Sequence, residues 1–194
     1  ALRKDAEQTN LTNLACLAGE EKVYRAVDTG DEKIVASMSE HWMPVTELHL
    51  KVGALVIVIK NVDVEQGIWN GATGTVVSVS DEWPVVRLNN AAHSTFVAKP
   101  ETWQINQEKK VVASRKQVPL RLAWAITTHK SQGMTIQNVE INMDKFFERG
   151  QFYTAVSRAV SLEGLFLRGH LPSMDLIQPD PQVLEWWTSV RPRT

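Results

Sequence analysis

Hydrophobic and polar positions alternate in different ways along the chain, and the first change comes after an N-terminal helix. Leucines recur at helical spacing up to about Ala18, and Gly19 is suited to end the helix with a left-handed residue. Residues 20–47 are polar and weakly periodic, which predicts a loop with short elements. A continuous apolar run at 52–60 then predicts a strand.

Short β-rich runs dominate the middle of the chain. An Asn-Gly turn lies within 67–71, and such turns join antiparallel strands. Three further runs follow at a spacing of roughly 8–12 residues, which is typical of a small barrel. These runs are Gly74 to Val79, Pro84 to Leu88, and Thr95 to Lys99. We therefore expect a small β barrel in this region.

From residue 118 the pattern indicates alternating strands and helices. The strands are predicted at 120–127, 138–142 and 164–168, and a helix is predicted over 146–159. A last amphipathic helix, preceded by two prolines, is expected to end near Trp187. Such alternation is typical of a parallel α/β layer. The barrel would then be an insertion between two parts of one α/β domain.

The composition changes this picture little, except in the distribution of positive charge. A length of 194 residues suits one domain with a sizeable insertion, or two small modules that share a core. The net charge of -1 argues against nucleic-acid binding driven by basic tails, but it leaves a local basic patch open. A charged, solvent-facing strand edge is the alternative. The basic residues concerned are Lys109, Lys110, Arg115, Lys116 and Arg121.

The sequence does not indicate a metal site, an internal disulfide or a membrane-spanning segment. Cys16 is the only cysteine, so neither an internal disulfide nor a cysteine-based zinc site can form. The five histidines lack metal-ligand spacing, and no apolar run is long enough to span a bilayer. We expect no metal site in this chain and no membrane partner. An intracellular location is expected, which is the nucleus or mitochondrion if the protein is eukaryotic and the cytoplasm if it is bacterial or viral.

Two segments carry candidate chemistry. The first, 125–133, presents hydroxyl, imidazole, ammonium and amide groups directly after a predicted strand, where α/β sheets bind ligands and helix N-termini favour phosphate. A polar turn with an N-cap is the alternative. The second, 150–159, places Arg158 near the end of a predicted helix. This arginine is either a solvated partner of the helix dipole or an arginine finger, worth ~10³–10⁵ in the rate of phosphoryl transfer.

In this order and spacing the two segments resemble the last two signature motifs of superfamily-one helicases, in particular of the Pif-type and RecD-like branch. The specific patterns are AIT-x-HKSQG, which ends at Gly133, and Y-x-A-x-SRA, which begins at Tyr153. Weaker similarities cover almost the whole chain. They are RKD with Asn10, GEEKVYRAVDTGD, KVGALVIVIKN with WNGATG, and FLRGH with DPQVLEWW.

The resemblance implies an α/β, RecA-like fold of the P-loop NTPase type with an inserted small SH3-like β barrel. Residues 1–48 would be the first part of the second RecA-like domain and its connector. The barrel would span 49–117, and 118–194 would complete the domain with its C-terminal element.

The resemblance also implies contacts to single-stranded DNA. Thr127 and His129 match family positions that contact the DNA backbone or bases, with Lys130 close by. Trp69 and Asn70 match the barrel hairpin that lies along the DNA path. A base stacked on Trp69 would contribute ~1–3 kcal/mol. Packing of this tryptophan on its own barrel is the alternative.

The nucleotide contacts implied by the resemblance fall in both motifs. Gln132, Gly133 and Thr135 lie where the first motif approaches ATP. Thr135 stands where relatives often have a ribose-binding glutamate, so that contact differs here. Gln151 and Arg158 match the last motif, with Arg158 facing the γ-phosphate.

No phosphate-binding loop of the form G-x-x-x-x-G-K-[ST] is present. Ala1-Leu2 resembles the end of a strand, so we expect a first RecA-like domain upstream that holds Mg²⁺ and the β-phosphate. The chain is then the C-terminal motor half of an ATP-dependent 5′→3′ DNA helicase, inactive alone, acting on single-stranded and on duplex or structured DNA. Similar helicases serve DNA repair, recombination and telomere maintenance.

Two alternatives remain open at this point. One is a RecD-like exonuclease subunit or relaxase helicase, although the connector at 19–31 and the terminal DPQVLEWW favour the Pif type. The other is a single-stranded DNA-binding module that has lost the motor. The complete motif from Tyr153 to Ala159 weighs against it, because a pure binder has no use for a γ-phosphate arginine.

Overall fold

The chain divides after Ala6 and after Ala125 into two units. We refer to Glu7–Ala125 as the strand-rich unit, and to Ala1–Ala6 with Ile126–Thr194 as the motif unit. The structure is a computed structural model that describes residues 3–31, 33–36, 44–89, 94–108 and 110–190. Helix α1 spans Arg3–Cys16 as the leucine spacing predicts, with Leu14 buried and Gly19 at a φ of 97° beyond its end. The divisions expected at 48 and 117 stay predictions.

Ten strands are described between residues 22 and 122. They are β1 Lys22–Arg25, β2 Val27–Gly30, β3 Glu47–Leu50, β4 Leu55–Val58, β5 Thr73–Ser78, β6 Val85–Leu88, β7 Thr95–Val97, β8 Glu101–Gln107, β9 Lys110–Gln117 and β10 Leu120–Leu122. Five of them form an antiparallel sheet in the order β10-β4-β5-β6-β7, and three form a second in the order β2-β9-β8. Strands β1 and β3 pair antiparallel with each other.

The larger sheet forms because its strands bury one face of β-branched and leucine side chains. On β5 the exposure alternates along the strand, with Val76 only 1% exposed. The core of the unit contains Val56, Val58, Val86 and Leu88, which are all nearly inaccessible to solvent. The runs predicted at 52–60, 74–79, 84–88 and 95–99 are thus confirmed as strands, with bounds that differ by one to three residues at most ends.

The loop with short elements that is predicted over 20–47 contains β1, β2 and the first residue of β3. Each strand has four residues, and on β1 only Tyr24 is buried, so alternation gives little signal. The Tyr24 hydroxyl donates to the Ser80 carbonyl oxygen at 3.0 Å and accepts from the Ser80 N–H at 3.2 Å. A partner 56 residues away, which no local pattern reveals, therefore fixes this strand.

Two of the five basic residues, Arg115 and Arg121, do not belong to an exposed basic patch. Arg115 is completely buried, and its guanidinium binds both oxygens of Asp28 at 2.7 Å and the Pro44 carbonyl oxygen at 3.0 Å. Arg121 is ion-paired with Glu7 at 3.2 Å. These two charges are therefore neutralised within the fold, since a buried charge requires a partner. Lys109 lies outside the described residues.

The motif unit contains a parallel pair of strands, β11 Val139–Asn142 and β12 Leu165–Arg168, as the predicted α/β layer requires. Its helices are α2 Gln151–Val156, α3 Met174–Ile177 and α4 Pro181–Val190, and two 3₁₀ turns span His129–Ser131 and Met143–Lys145. Its small core joins Ile141, Met143, Phe146 and Ala155. No helix of the described residues is long and apolar enough to cross a membrane.

Two predicted elements are shorter than expected. The strand predicted at 120–127 ends at Leu122, where it pairs antiparallel with β4. Beyond it, the buried Asn10 side chain accepts from the Ala125 N–H and donates to the Ala125 carbonyl oxygen, both at 2.9 Å, and so takes the place of a neighbouring strand. The helix predicted at 146–159 is reduced to α2, because Gly150 precedes it in the left-handed conformation.

Candidate functional site

The turn over 127–133 is held by a buried serine. The Ser131 hydroxyl donates to the Thr128 carbonyl oxygen at 2.7 Å, and its N–H donates to the carbonyl oxygens of Thr127 and Thr128 at 3.1 Å. Ser131 is 5% exposed, so its side chain anchors the turn from inside. The polar residues around it are thereby held in a fixed order along the turn.

Three of the residues predicted to contact DNA, Thr127, His129 and Lys130, belong to this turn. His129 is exposed, whereas Thr127 and Lys130 are half-buried. The Thr127 hydroxyl oxygen accepts from the Lys130 N–H at 3.4 Å and still has its own hydrogen to donate. One hydroxyl, one imidazole and one ammonium group on a single anchored turn can bind a phosphate or a base edge.

Arg158 lies two residues beyond α2, and three hydrogen bonds fix its guanidinium. Its Nε donates to the Thr154 carbonyl oxygen at 3.1 Å, and its Nη1 to the Met134 carbonyl oxygen at 3.3 Å. Its Nη2 donates to the Ser157 hydroxyl oxygen at 3.0 Å. The side chain is half-buried, which distinguishes it from a freely solvated arginine.

Main-chain hydrogen bonds join the two sequence motifs. The Ile136 N–H donates to the Arg158 carbonyl oxygen at 2.8 Å, and the Val160 N–H donates to the Ile136 carbonyl oxygen at 3.1 Å. Ile136 and Ala159 form a parallel β-bridge. The end of the first motif is therefore held beside the arginine of the second.

The predicted nucleotide residues of the first motif occupy this junction. Gln132, Gly133 and Thr135 are all exposed. Gly133 has a φ of 77°, and a Cβ at this position would meet nothing within 4 Å. The glycine is thus required by backbone conformation rather than by space. Open main chain at this point allows a ligand to approach closely.

Gln151, also predicted to contact nucleotide, is instead engaged by its own loop. It is 8% exposed, and its Oε1 accepts from the Phe147 N–H at 3.3 Å. Its Nε2 donates to Glu148 at 3.2 Å. Both ends of the amide therefore close the loop that precedes α2. Its contact with nucleotide stays a prediction.

The hairpin with Trp69 and Asn70 belongs to the strand-rich unit. Ile68 is buried at its base, and the Asn70 N–H donates to the Asn61 side-chain oxygen at 2.8 Å. The Trp69 side chain is 45% exposed, so part of its ring is available for contact while the rest packs on the protein. The predicted Asn-Gly turn is confirmed by the left-handed φ of 102° at Gly71.

Sequence reasoning missed one polar contact after β12. The Asp144 carboxylate accepts from the main-chain N–H of His170 at 2.8 Å and from its ring Nδ1 at 3.1 Å. These bonds, the main-chain one first, hold the pKa of Asp144 below its ordinary value. Gly169 has a φ of 94°, and a Cβ there would clash with that carboxylate. The sequence feature that could have indicated this contact is the Gly169-His170 pair directly after the strand.

The described part of the chain contains no group of three or more histidine, cysteine or acidic side chains that could hold a metal ion.

A family model described as "DNA helicase Pif1, 2B domain" matches residues 34–79, which include the Trp69 hairpin. The "ATP-dependent DNA helicase PIF1" of Xenopus laevis is 39% identical over 188 residues, which make up 95% of this chain and 29% of that protein. The Pif1 helicase of Candida albicans, known from a crystal structure, is 32% identical and matches with a TM-score of 0.84 over 98% of this chain and 48% of that chain. The chain belongs to the Pif1 helicase family.

Two further Pif1 structures, from Bacteroides, are informative because they contain ligands. One is described as a complex with ADP-AlF4 and matches with a TM-score of 0.77 at 29% identity, over 97% of this chain and 43% of that one. The other is described as bound to ssDNA and matches with a TM-score of 0.74 at 29% identity, over 97% of this chain and 44% of that one. The chain thus spans less than half of these Pif1 proteins, and about 29% of the Xenopus protein.

Proposed function

We propose that the chain is the C-terminal motor half of an ATP-dependent DNA helicase, with an arginine finger and single-stranded DNA contacts. The names of its Pif1 relatives support this activity, although the chain spans only about 29% of the Xenopus protein. In this proposal the motif unit is part of the second RecA-like domain, and its parallel pair β11–β12 belongs to the RecA-like sheet. The antiparallel strands around the Trp69 hairpin form the inserted SH3-like barrel.

The observation that carries the proposal is the restraint of Arg158. A solvated arginine at a helix end gains little from being held, because fixing a long side chain costs conformational entropy. Here three acceptors hold the guanidinium while it remains half-exposed. A preorganised cation of this kind suits the charge that develops on a transferring γ-phosphoryl group.

ATP would bind against the exposed main chain around Gly133, with Gln132 and Thr135 beside it. Gln151 would act by holding the loop before α2, and its direct contact with nucleotide remains part of the proposal. The described residues offer no cluster of acids for Mg²⁺. In the proposal Mg²⁺ is held mainly by the first RecA-like domain, together with the phosphate-binding loop that this sequence lacks.

DNA contacts would come from the turn with Thr127, His129 and Lys130, and from Trp69 and Asn70 on the hairpin. The Bacteroides relative bound to ssDNA supports single-stranded DNA as the ligand. The main-chain bonds between Ile136 and Arg158 then give a short covalent and hydrogen-bonded route between the DNA turn and the arginine finger. The 5′→3′ direction is proposed from the family alone.

The test is Arg158→Ala in the full-length protein. Turnover of ATP is expected to fall by ~10³-fold or more, while the dissociation constant for single-stranded DNA changes little, because Arg158 is not among the DNA contacts. The 194-residue chain alone is expected to show no DNA-stimulated ATP hydrolysis. Normal turnover in the variant would refute the arginine finger. A wild-type full-length protein that binds DNA without hydrolysing ATP would favour a module without a motor.

A further inference from the structure

We propose that Ser157 is a positioning residue that sets the orientation of the Arg158 guanidinium toward phosphate. The inference rests on the proposed function, because it concerns how the arginine finger is aimed. It assigns a role to a side chain that precedes the arginine and does not itself reach the nucleotide.

The Ser157 hydroxyl, the Arg158 guanidinium and the Thr154 carbonyl oxygen form a closed ring of hydrogen bonds. The Ser157 hydroxyl donates to the Thr154 carbonyl oxygen at 3.1 Å and accepts from Arg158 Nη2 at 3.0 Å. Arg158 Nε donates to the same carbonyl oxygen at 3.1 Å. A guanidinium has no acceptor, so the direction of each bond is fixed, and the single hydroxyl hydrogen of Ser157 is committed to Thr154.

This ring determines which donors of Arg158 are left for a ligand. A guanidinium carries five N–H donors in one plane. The ring uses one on Nε and one on Nη2, and the Met134 carbonyl oxygen takes one from Nη1. Among the contacts of the described residues, one N–H on each terminal nitrogen stays undonated. These two remaining N–H groups are the donors that Arg158 can offer to phosphate oxygens.

Ser157 is the part of this arrangement that a substitution can remove. The other two acceptors, on Thr154 and Met134, are main-chain carbonyls that persist whatever the side chain. Without the hydroxyl, Nη2 loses its acceptor, and the restraint on the guanidinium falls to the bonds from Nε and Nη1. The charge would remain, but Nη2 would be less firmly oriented toward phosphate. A displacement of about 1 Å in such a group can cost ~10²-fold in rate.

The experiment compares Ser157→Ala, Ser157→Thr and Arg158→Ala in the full-length protein. Ser157→Ala is expected to lower kcat for ATP by about 10-fold with KM unchanged, and to weaken binding of ADP with aluminium fluoride by a similar factor. Affinity for ADP alone should stay the same, because ADP has no γ-phosphoryl group. Ser157→Thr keeps a hydroxyl and should restore both quantities.

A matched control is available on another helix. The Ser189 hydroxyl of α4 donates to the carbonyl oxygen of Trp186, three residues earlier, at 2.6 Å, as Ser157 does to Thr154, and among the described residues no arginine donates to it. Ser189→Ala should therefore behave as wild type. A change in ADP affinity or thermal midpoint in Ser157→Ala as large as the change in kcat would indicate general damage and would overturn positioning.

The two proposals fail in different ways. If Ser157→Ala keeps wild-type kcat and aluminium fluoride affinity while Arg158→Ala loses both, the positioning role is wrong and the arginine finger stands. If Arg158→Ala itself turns over ATP normally, the proposed function is wrong, and the role of Ser157 falls with it.

Discussion

The ion pair between Asp28 and Arg115 allows a quantitative test of how the strand-rich unit is built. Arg115 on β9 is 0% exposed, whereas the Asp28 side chain on β2 is 25% exposed. Both guanidinium–carboxylate contacts measure 2.7 Å. The substitution Asp28→Ala would remove both of these carboxylate contacts from a completely buried cation.

The expected cost follows from this burial. Removing one partner of a buried pair typically destabilises a protein by ~3–5 kcal/mol, which is a large part of a usual stability of ~5–15 kcal/mol. Arg115→Met should cost less, because the carboxylate left behind is partly hydrated and the methionine fills the space with apolar atoms. The double variant should cost less than the two single losses together, since both substitutions remove the same ion pair.

The assay is urea-induced unfolding of the 194-residue chain and its three variants, with the free energy taken from midpoint and slope. The order of stability should be wild type, then Arg115→Met, then Asp28→Ala. A loss below about 1 kcal/mol in Asp28→Ala, or strict additivity in the double variant, would show that Arg115 is not held as a buried paired charge.

Two further predictions concern the motif unit. Replacing His129 and Lys130 with alanine in the full-length protein should weaken single-strand binding and reduce the slope of log affinity against log salt by ~0.7 for the lost lysine contact; an unchanged dissociation constant would remove both from the DNA path. Because the folded-state pKa of Asp144 lies below its ordinary 3.8, its contact with His170 stabilises the fold above that pH and is lost as pH falls through the folded pKa. Asp144→Asn should therefore weaken the pH dependence of the free energy of unfolding at acid pH. The same pH dependence in variant and wild type would contradict this assignment.

Much of the fold could be predicted because most strands of the larger sheet are continuous apolar runs bounded by turns. The hairpin β8–β9 could not, because its inward positions include Arg115 and Gln117, which no pattern of apolar residues marks as buried. The carboxylate that pairs with Arg115 belongs to Asp28, which lies 87 positions away in sequence. The alternation of apolar and polar residues along a strand is a local pattern, and it gives no information about pairing with a residue far away in sequence.

In the candidate site, too, features that depend on neighbouring residues could be predicted from the sequence, and contacts between distant residues could not. The motifs drew attention to Arg158 and to the turn at 127–130 because those residue types lie close together in sequence. The Met134 carbonyl that holds Arg158 and the Asn10 side chain that holds Ala125 were not foreseen as contacts, because each depends on where the main chain returns. Gln151 differs, because its motif position predicts a contact with nucleotide, whereas its side chain binds the neighbouring loop.

The division of the chain has a consequence for its biogenesis. The strand-rich unit is one uninterrupted segment, whereas the motif unit combines the first six residues with everything after Ala125. During synthesis from the N-terminus, every strand from β1 to β10 has been made before the segment with Arg158 leaves the ribosome. In the cell, a defect such as Asp28→Ala is therefore expected to lower the yield of folded protein, through quality control of the nascent chain.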